Sequence, residues 1–220
     1  MKTLRESLLD DDLVGKTDEM IKDEIEAFLK ENYDYMDGTI KINNKPNKNS
    51  KYEVLSTVDV TVKNYNITSL TNGMFIWVKV YGDFTISYCN YLESLEGAPK
   101  EVDGDFYCSS CQSLKSLKGA PEKVGRDFYC TNCQSLKSLE GSPKEVGGDF
   151  YCSSCQSLKS LKGAPKKVRG EFYCDYNNSL KSLDGAPKEV GRDFYCSNCD
   201  GQFTIEDVKK ISNVKGKIKC

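Results

Sequence analysis

Hydrophobic residues return at a fixed spacing along most of the chain. The spacing is set by a phenylalanine that recurs with a 22-residue period, at Phe84, Phe106, Phe128, Phe150, Phe172 and Phe194. A fixed period of this length is typical of a solenoid, in which each repeat is one coil stacked on the previous one. We therefore predict a single elongated body, mainly of β structure, instead of a globular domain.

Each repeat reads Val-x-x-x-Phe-Tyr-Cys-x-x-Cys-x-Ser-Leu-x-Ser-Leu-x-Gly-Ala-Pro, with small variations. Side chains alternate between the two faces of a strand, so the run Asp-Phe-Tyr-Cys places Phe and the first Cys on one face and Asp and Tyr on the other. Ile86 stands where the other repeats have the first Cys. Because a position that accepts Ile or Cys is apolar and enclosed, this face is the predicted core.

A helix is predicted near the N-terminus, over residues 18–31. It follows Thr17, a helix start signal, and has an acidic outer face. Its apolar residues recur at helical spacing, at Met20, Ile21, Ile25, Phe28 and Leu29. A capping box at Thr3 and Glu6 predicts a shorter helical turn before it. We expect the longer helix to lie on the open end of the solenoid; the alternative is a free helix that binds a partner.

Three β-rich runs separate this helix from the clear repeats, at residues 39–42, 58–62 and 75–80. Counting back one 22-residue period from apolar positions of the first clear repeat leads to four more apolar residues, Val58, Val62, Ile67 and Leu70. The spacing thus predicts a decayed first coil, as expected of a terminal repeat.

The C-terminal residues continue the repeat. Thr204 is a helix N-cap flanked by apolar residues, which predicts a short helix over residues 205–211. Residues 214–220 then repeat the Val-x-x-x-Phe-x-Cys frame of residues 190–196, now with a 24-residue offset. Cys220 is therefore predicted to be the inward cysteine of a final strand.

These patterns divide the chain into four parts. Residues 1–35 form an N-terminal helical segment, and residues 36–79 a divergent, β-rich first coil. Residues 80–200 form the 22-residue-repeat solenoid, and residues 201–220 a C-terminal cap. The expected total is about seven coils.

The repeat resembles the leucine-rich-repeat signature Leu-x-Leu-x-x-Asn/Cys-x-Leu, with Phe and the first Cys in the leucine positions. The second Cys takes the Asn/Cys position, and Asn177 replaces it in one repeat. The chain is similar to degenerate, right-handed leucine-rich repeats of short proteins from bacteriophages and gut bacteria, chiefly over residues 80–220. The resemblance implies that the Asn/Cys side chain points inward and satisfies backbone groups. The Gly-Ala-Pro turn predicts a thin, non-helical convex side.

Cysteine chemistry offers a second interpretation. Four Cys-x-x-Cys pairs are present, Cys108/Cys111, Cys130/Cys133, Cys152/Cys155 and Cys196/Cys199. Such pairs are typical of zinc sites, so a zinc-dependent nucleic-acid-binding protein is the alternative function. However, the pairs keep phase with the repeat, and Ile86 and Asn177 replace single members. This favours cysteines that pack in the core, and no metal or cofactor is predicted.

The composition argues against several classes of function. The chain has 31 basic and 33 acidic residues and a net charge of −2, which argues against binding to nucleic acid through phosphate contacts. It has no histidine, so the commonest general base is missing and we predict no enzyme. No signal-peptide core or membrane-spanning apolar run is present, so we expect a cytoplasmic protein with reduced thiols and no membrane partner.

The outward strand positions are the predicted binding site. They carry a row of tyrosines flanked by a row of acids: Tyr107, Tyr129, Tyr151, Tyr173 and Tyr195, with Asp105, Asp127, Asp149, Glu171 and Asp193. Tyrosine is enriched in protein interfaces, so we predict a protein-interaction module that binds through this face. The alternative is an aromatic ladder that only stabilises the sheet. The phage-like resemblance implies an inhibitor or decoy of a host protein, such as a defence factor.

Overall fold

A computed structural model describes residues 16–36, 38–43 and 52–220 of the chain. In these ranges the chain forms a β-solenoid of about eight turns with two short helices, as the regular phenylalanine spacing predicted. The additional turn relative to the predicted seven arises because the C-terminal strands complete a coil of their own. The capping box predicted at Thr3 and Glu6 lies outside the described residues.

One sheet, here called the Phe-Tyr sheet, contains the strand of each repeat that carries Phe and Tyr. Its strands, in spatial order, are β1 (Tyr33–Asp34), β4 (Val60–Val62), β6 (Phe84–Thr85), β8 (Phe106–Tyr107), β10 (Phe128–Tyr129), β12 (Phe150–Tyr151), β14 (Phe172–Tyr173), β16 (Phe194–Tyr195) and β18 (Ile218–Lys219). From β4 to β18 neighbouring strands are parallel, and β1 pairs with β4 in the antiparallel direction. Each coil therefore adds one strand to this sheet.

The second sheet, here called the Val sheet, lies on another side of the coils. Its strands, in spatial order from the C-terminal end, are β17 (Asn213–Val214), β15 (Glu189–Val190), β13 (Lys167–Val168), β11 (Glu145–Val146), β9 (Lys123–Val124), β7 (Glu101–Val102), β5 (Phe75–Val80), β3 (Tyr52–Ser56) and β2 (Ile40–Asn43). The valine of each repeat is thus a strand residue whose side chain enters the core between the sheets.

The register of the Phe-Tyr sheet places like residues beside like residues. Phe150 pairs with Phe128 on one side and with Phe172 on the other. The phenylalanine rings consequently form a column inside the solenoid, with ring centroids 5.1 and 5.6 Å apart at these two steps. All six repeat phenylalanines are fully buried, which confirms the predicted core face.

A glycine turn closes each coil after the second leucine. Gly163 has φ +90°, a backbone conformation that residues with a side chain rarely adopt, and a Cβ there would lie 2.3 Å from the backbone nitrogen of Glu140 in the preceding coil. The same positive φ recurs at Gly97, Gly119, Gly141 and Gly185. Close stacking of the coils at this turn explains why every repeat keeps the glycine.

The N-terminal helix covers the first coil. Helix α1 (Asp18–Asn32) begins after the N-cap Thr17, in agreement with the prediction for residues 18–31. It buries Ile21, Ile25 and Leu29 against the core. The hydroxyl of Tyr33, directly after the helix, donates to the backbone carbonyl of Leu70. The helix therefore closes this end of the apolar core.

In the first coil the predicted strand pairing is wrong. Val60, not Val62, pairs with Phe84, and the neighbouring Asp59 bonds to Asp83 with the same 24-residue offset. Val58, predicted to be a core residue, is only half-buried, whereas Val62, Ile67 and Leu70 are buried. The first coil is thus two residues longer than the clear repeats, since Ser56 pairs with Val80 and Val60 with Phe84, each 24 residues apart.

The C-terminal cap has the predicted elements. Helix α2 (Ile205–Ile211) starts at the N-cap Thr204, whose side chain and that of Asp207 form a capping box. Ile218 pairs with Phe194, which confirms the predicted 24-residue offset. Cys220 continues the row of inward cysteines as predicted, with its Sγ 2.6 Å from that of the buried Cys196, but its own side chain is exposed. In the described chain β18 is the outermost strand of its sheet, so no further coil covers this cysteine.

Candidate interaction surface

The five tyrosines of the predicted site form one continuous stack on the outer side of the Phe-Tyr sheet. Successive ring centroids, from Tyr107 to Tyr195, are 4.6, 4.5, 4.5 and 4.3 Å apart, and the planes differ by 4–11°. Each ring is half-buried, because its faces lie against its neighbours while its outer edge remains accessible. The sequence prediction of a tyrosine ladder is therefore correct.

The acidic row beside the tyrosines holds the coils together. Oδ1 of Asp127 accepts a hydrogen bond of 2.7 Å from the backbone N–H of Asp149, one coil further on, and Oδ2 accepts one of 2.9 Å from the hydroxyl of Tyr129. Asp105 and Asp149 make the same two bonds in their coils. Both carboxylate oxygens are thus engaged within the protein, which the sequence pattern did not reveal.

The acidic chain continues at both ends of the tyrosine stack. Before it, Oδ1 of Asp59 and Oδ1 of Asp83 accept from the next coil's backbone amide. After it, Oδ1 of Asp193 accepts from the backbone N–H of Lys217 at 2.8 Å. Glu171, the one glutamate in the row, accepts the hydroxyl proton of Tyr173. The acidic row therefore runs from the first coil to the last, but among the described residues its bonds to the next coil's amide are interrupted at Glu171.

The environment raises the pKa of most ladder tyrosines. Burial and the hydrogen bond to Asp105 raise the pKa of Tyr107 to about 12. Burial and the hydrogen bonds to Asp127 and Asp149 likewise raise the pKa of Tyr129 and Tyr151. At neutral pH the hydroxyls are therefore donors that point back to the acidic row. The part of each tyrosine left for a partner is the ring edge.

The substitution Asp127→Ala is expected to lower the free energy of unfolding by about 2–3 kcal/mol, because two hydrogen bonds to a charged acceptor are lost. Urea unfolding followed by circular dichroism measures this loss. Asp127→Asn keeps an oxygen for the Asp149 amide and should lose less than half as much. Asp184→Ala, at an exposed acid outside the row, should change stability by less than about 0.5 kcal/mol. Equal losses for Asp127→Ala and Asp184→Ala would contradict a structural role for the row.

The second cysteine of each repeat satisfies a backbone carbonyl. The thiol of Cys155 donates to the carbonyl of Cys130 at 3.1 Å, one coil back. The same bond is made by Cys111 to Ile86, by Cys133 to Cys108 and by Cys199 to Cys174, at 3.1–3.2 Å. Asn177 occupies the equivalent position and donates to the carbonyl of Cys152 at 3.0 Å. This is the inward, backbone-satisfying role that the resemblance to leucine-rich repeats implied.

These contacts also bear on the zinc interpretation. A metal-binding cysteine acts as a thiolate, whereas burial raises the pKa of Cys111 to about 12 and that of Cys108 well above its ordinary value. The described thiols of the second position act as hydrogen-bond donors. Within residues 16–36, 38–43 and 52–220, no three His, Cys, Asp or Glu side chains are grouped to hold a metal ion. The geometry thus favours packing cysteines.

Several exposed tyrosines were missed by the sequence analysis. Tyr88 and Tyr91 are 62% and 61% exposed, and Tyr65 and Tyr176 are also more than half exposed. Tyr88 and Tyr176 share one bend position with a left-handed backbone, where other repeats have Ser or Asn. A large aromatic residue at a position otherwise occupied by small polar residues is the signal that could have identified them.

Other surface features have simpler roles. The lysines between the two leucines, Lys115, Lys137, Lys159 and Lys181, are all exposed. Lys115 pairs with Glu93 at 2.7 Å and Lys181 with Asp200 at 3.5 Å, and such surface ion pairs contribute little to stability. An open groove of about 560 Å³ lies at the C-terminal end, beside α2 and β18. Its ionisable residues, Lys209 and Lys210, provide no acid-base pair.

Comparison of the chain with protein-family models, curated proteins and solved structures gave no significant match. No helix in the described part of the chain is long and apolar enough to cross a membrane.

Proposed function

We propose that this protein is a non-enzymatic interaction module that binds a partner protein through the outer face of the Phe-Tyr sheet. The observation that supports this is the stack of five tyrosines whose hydroxyls are bonded to the acidic row. Binding normally costs conformational entropy when side chains become ordered. In this stack the side chains are already held, so the surface can bind with little of that cost.

The resemblance to degenerate leucine-rich repeats of phages and gut bacteria supports a particular role. We propose a phage-encoded inhibitor or decoy that acts in the host cytoplasm on a host protein, such as a defence factor. The alternative, a zinc-dependent nucleic-acid-binding protein, is less well supported, because the thiols donate to backbone carbonyls and a carboxylate row follows the tyrosines along the sheet.

A pair of matched substitutions tests the proposed surface. Ser153 is half-buried and lies in the turn after β12, two residues after Tyr151, where its hydroxyl donates to Oδ1 of Asp175 in the next coil, a carboxylate that an arginine could pair with instead. The equivalent position holds Ser, Thr or Asp in other coils, so an arginine there should be accepted by the fold. Ser160 lies in the same coil between the leucines, away from the strand face. Ser153→Arg should therefore obstruct the surface, and Ser160→Arg should not.

The experiment is affinity purification from a gut-bacterial lysate with wild-type protein and both variants as bait, followed by titration of the recovered protein. We expect Ser153→Arg to weaken binding at least about tenfold, which corresponds to 1.4 kcal/mol, with Ser160→Arg close to wild type. A partner that binds all three baits equally would contradict binding through the tyrosine face. Loss of binding after chelation of metal would instead support the zinc alternative.

A further inference from the structure

The first cysteines of the repeats follow one rule inside the solenoid. The thiols of Cys130, Cys152 and Cys174 each donate to the carbonyl of the tyrosine in the next coil, at 3.2–3.3 Å. All three side chains are fully buried. Neighbouring thiols in this row therefore point at backbone oxygen, and solvent cannot reach them.

Cys196 departs from this rule at the last step of the row. Its Sγ lies 2.6 Å from Sγ of Cys220 in the final coil. The pairing of Tyr195 with Lys219 places the two cysteines side by side, and the backbone N–H of Cys196 donates to the carbonyl of Lys219 at 2.8 Å. Adjacent strands are about 4.8 Å apart, which falls within the range of Cα separations that disulfides span.

Accessibility also distinguishes this pair. All eleven cysteines of the chain lie in the described ranges, and Cys220 is the exposed one, whereas Cys196 is buried. A small disulfide in solution can thus reach one sulfur of this pair directly. The interior cysteine neighbours, such as Cys130 and Cys152, have no such exposed member.

We propose that Cys196 and Cys220 are a modification site, which glutathione disulfide or a similar small disulfide converts to an intramolecular disulfide. The Cys220 thiolate attacks one sulfur of the reagent, whose S–S bond breaks and releases one glutathione thiolate. Cys196 then loses its proton to solvent and attacks Sγ of Cys220, which releases the second glutathione. Two protein thiols are oxidised, and one glutathione disulfide is reduced to two glutathiones.

The order of attack follows from the surroundings of the two sulfurs. Burial and the neighbouring Cys220 raise the pKa of the Cys196 thiol, so it is a poor first nucleophile. Once Cys220 carries glutathione, the proximity of the two sulfurs makes the second attack intramolecular. The product links β16 to β18 covalently and secures the last coil of the described chain.

The experiment treats the folded full-length chain with glutathione disulfide, then measures intact mass and maps disulfide-linked peptides. We expect the loss of two hydrogen atoms, a cross-link between Cys196 and Cys220, and full reversal by dithiothreitol. Hydrogen exchange at Lys219 should slow at least tenfold in the oxidised protein. Cys130→Ser should still form the cross-link, whereas Cys220→Ser should not, and circular dichroism should verify that both variants fold.

Four outcomes would overturn the proposal. They are no change in mass, a stable glutathione adduct on Cys220 without ring closure, a dimer linked through Cys220, and an intramolecular cross-link between other cysteines. If the cross-link formed but hydrogen exchange were unchanged, the modification site would be supported and its proposed stabilisation of the last coil would be contradicted.

Discussion

Asn177→Leu is expected to lower the free energy of unfolding by about 3–6 kcal/mol, more than any other polar substitution considered. Asn177 is fully buried, and its side chain makes three hydrogen bonds to the backbone. Its amide donates to the carbonyls of Cys152 and Cys174 at 3.0 and 2.8 Å, and its Oδ1 accepts from the N–H of Cys155 at 2.7 Å. Leucine has a similar shape but leaves the N–H of Cys155 and the carbonyl of Cys152 without a partner, each at about 1–3 kcal/mol, while the carbonyl of Cys174 keeps the thiol of Cys199.

Asn177→Cys is the matched control for this substitution. Cysteine occupies the position in five other coils and can donate to the carbonyl of Cys152 as they do to theirs. We expect a loss of about 1 kcal/mol in the same urea titration, in line with a single hydrogen bond. If Asn177→Leu and Asn177→Cys were equally destabilising, the backbone bonds would not explain why this position selects Asn or Cys.

Phe150→Ala should destabilise the protein by about 3–5 kcal/mol, the usual cost of removing a buried phenylalanine ring. The ring is fully buried and stacks between Phe128 and Phe172, so its loss leaves a cavity in the middle of the column. In a solenoid each coil contacts only its neighbours. We therefore also expect the thermal transition to broaden, because the two halves of the stack become less coupled.

Phe194→Ala provides the same change near one end of the column. Phe194 contacts one phenylalanine, Phe172, with ring centroids 5.1 Å apart and planes tilted by 41°, and it pairs with Ile218 on the other side. Its loss should cost less than that of Phe150 and leave the transition sharp. Equal effects at the two positions, measured by differential scanning calorimetry, would contradict a continuous column that transmits stability between coils.

Much of the fold could be predicted from the sequence because one residue type marks each coil. The phenylalanine spacing indicated the solenoid, and Ile86 and Asn177 identified the cysteines as core positions. The helices α1 and α2 had clear start signals at Thr17 and Thr204. In each case a local pattern was reinforced by its repetition in the next coil.

Other features could not be predicted from the local sequence pattern. The Val sheet has strands of two residues in most coils, too short for alternation to be visible, so the valine did not reveal a second sheet. The acidic row was correctly placed beside the tyrosines, but the bond from Asp127 to the next coil's amide depends on how coils stack. The frame placed Cys220 correctly beside Cys196, but it does not show whether another coil covers this cysteine, so its exposure could not be predicted.

The acidic row has a consequence for how this surface can change length during evolution. From Asp59 to Asp149 each aspartate of the row reaches the amide of the next acidic residue in the same way, so these successive coils present nearly identical junctions. Recombination between two repeats in the gene would delete or duplicate one whole repeat and rejoin equivalent ends. The tyrosine stack would lose or gain one ring while every junction stayed intact, so its reach could be adjusted to a partner in steps of about 4.8 Å.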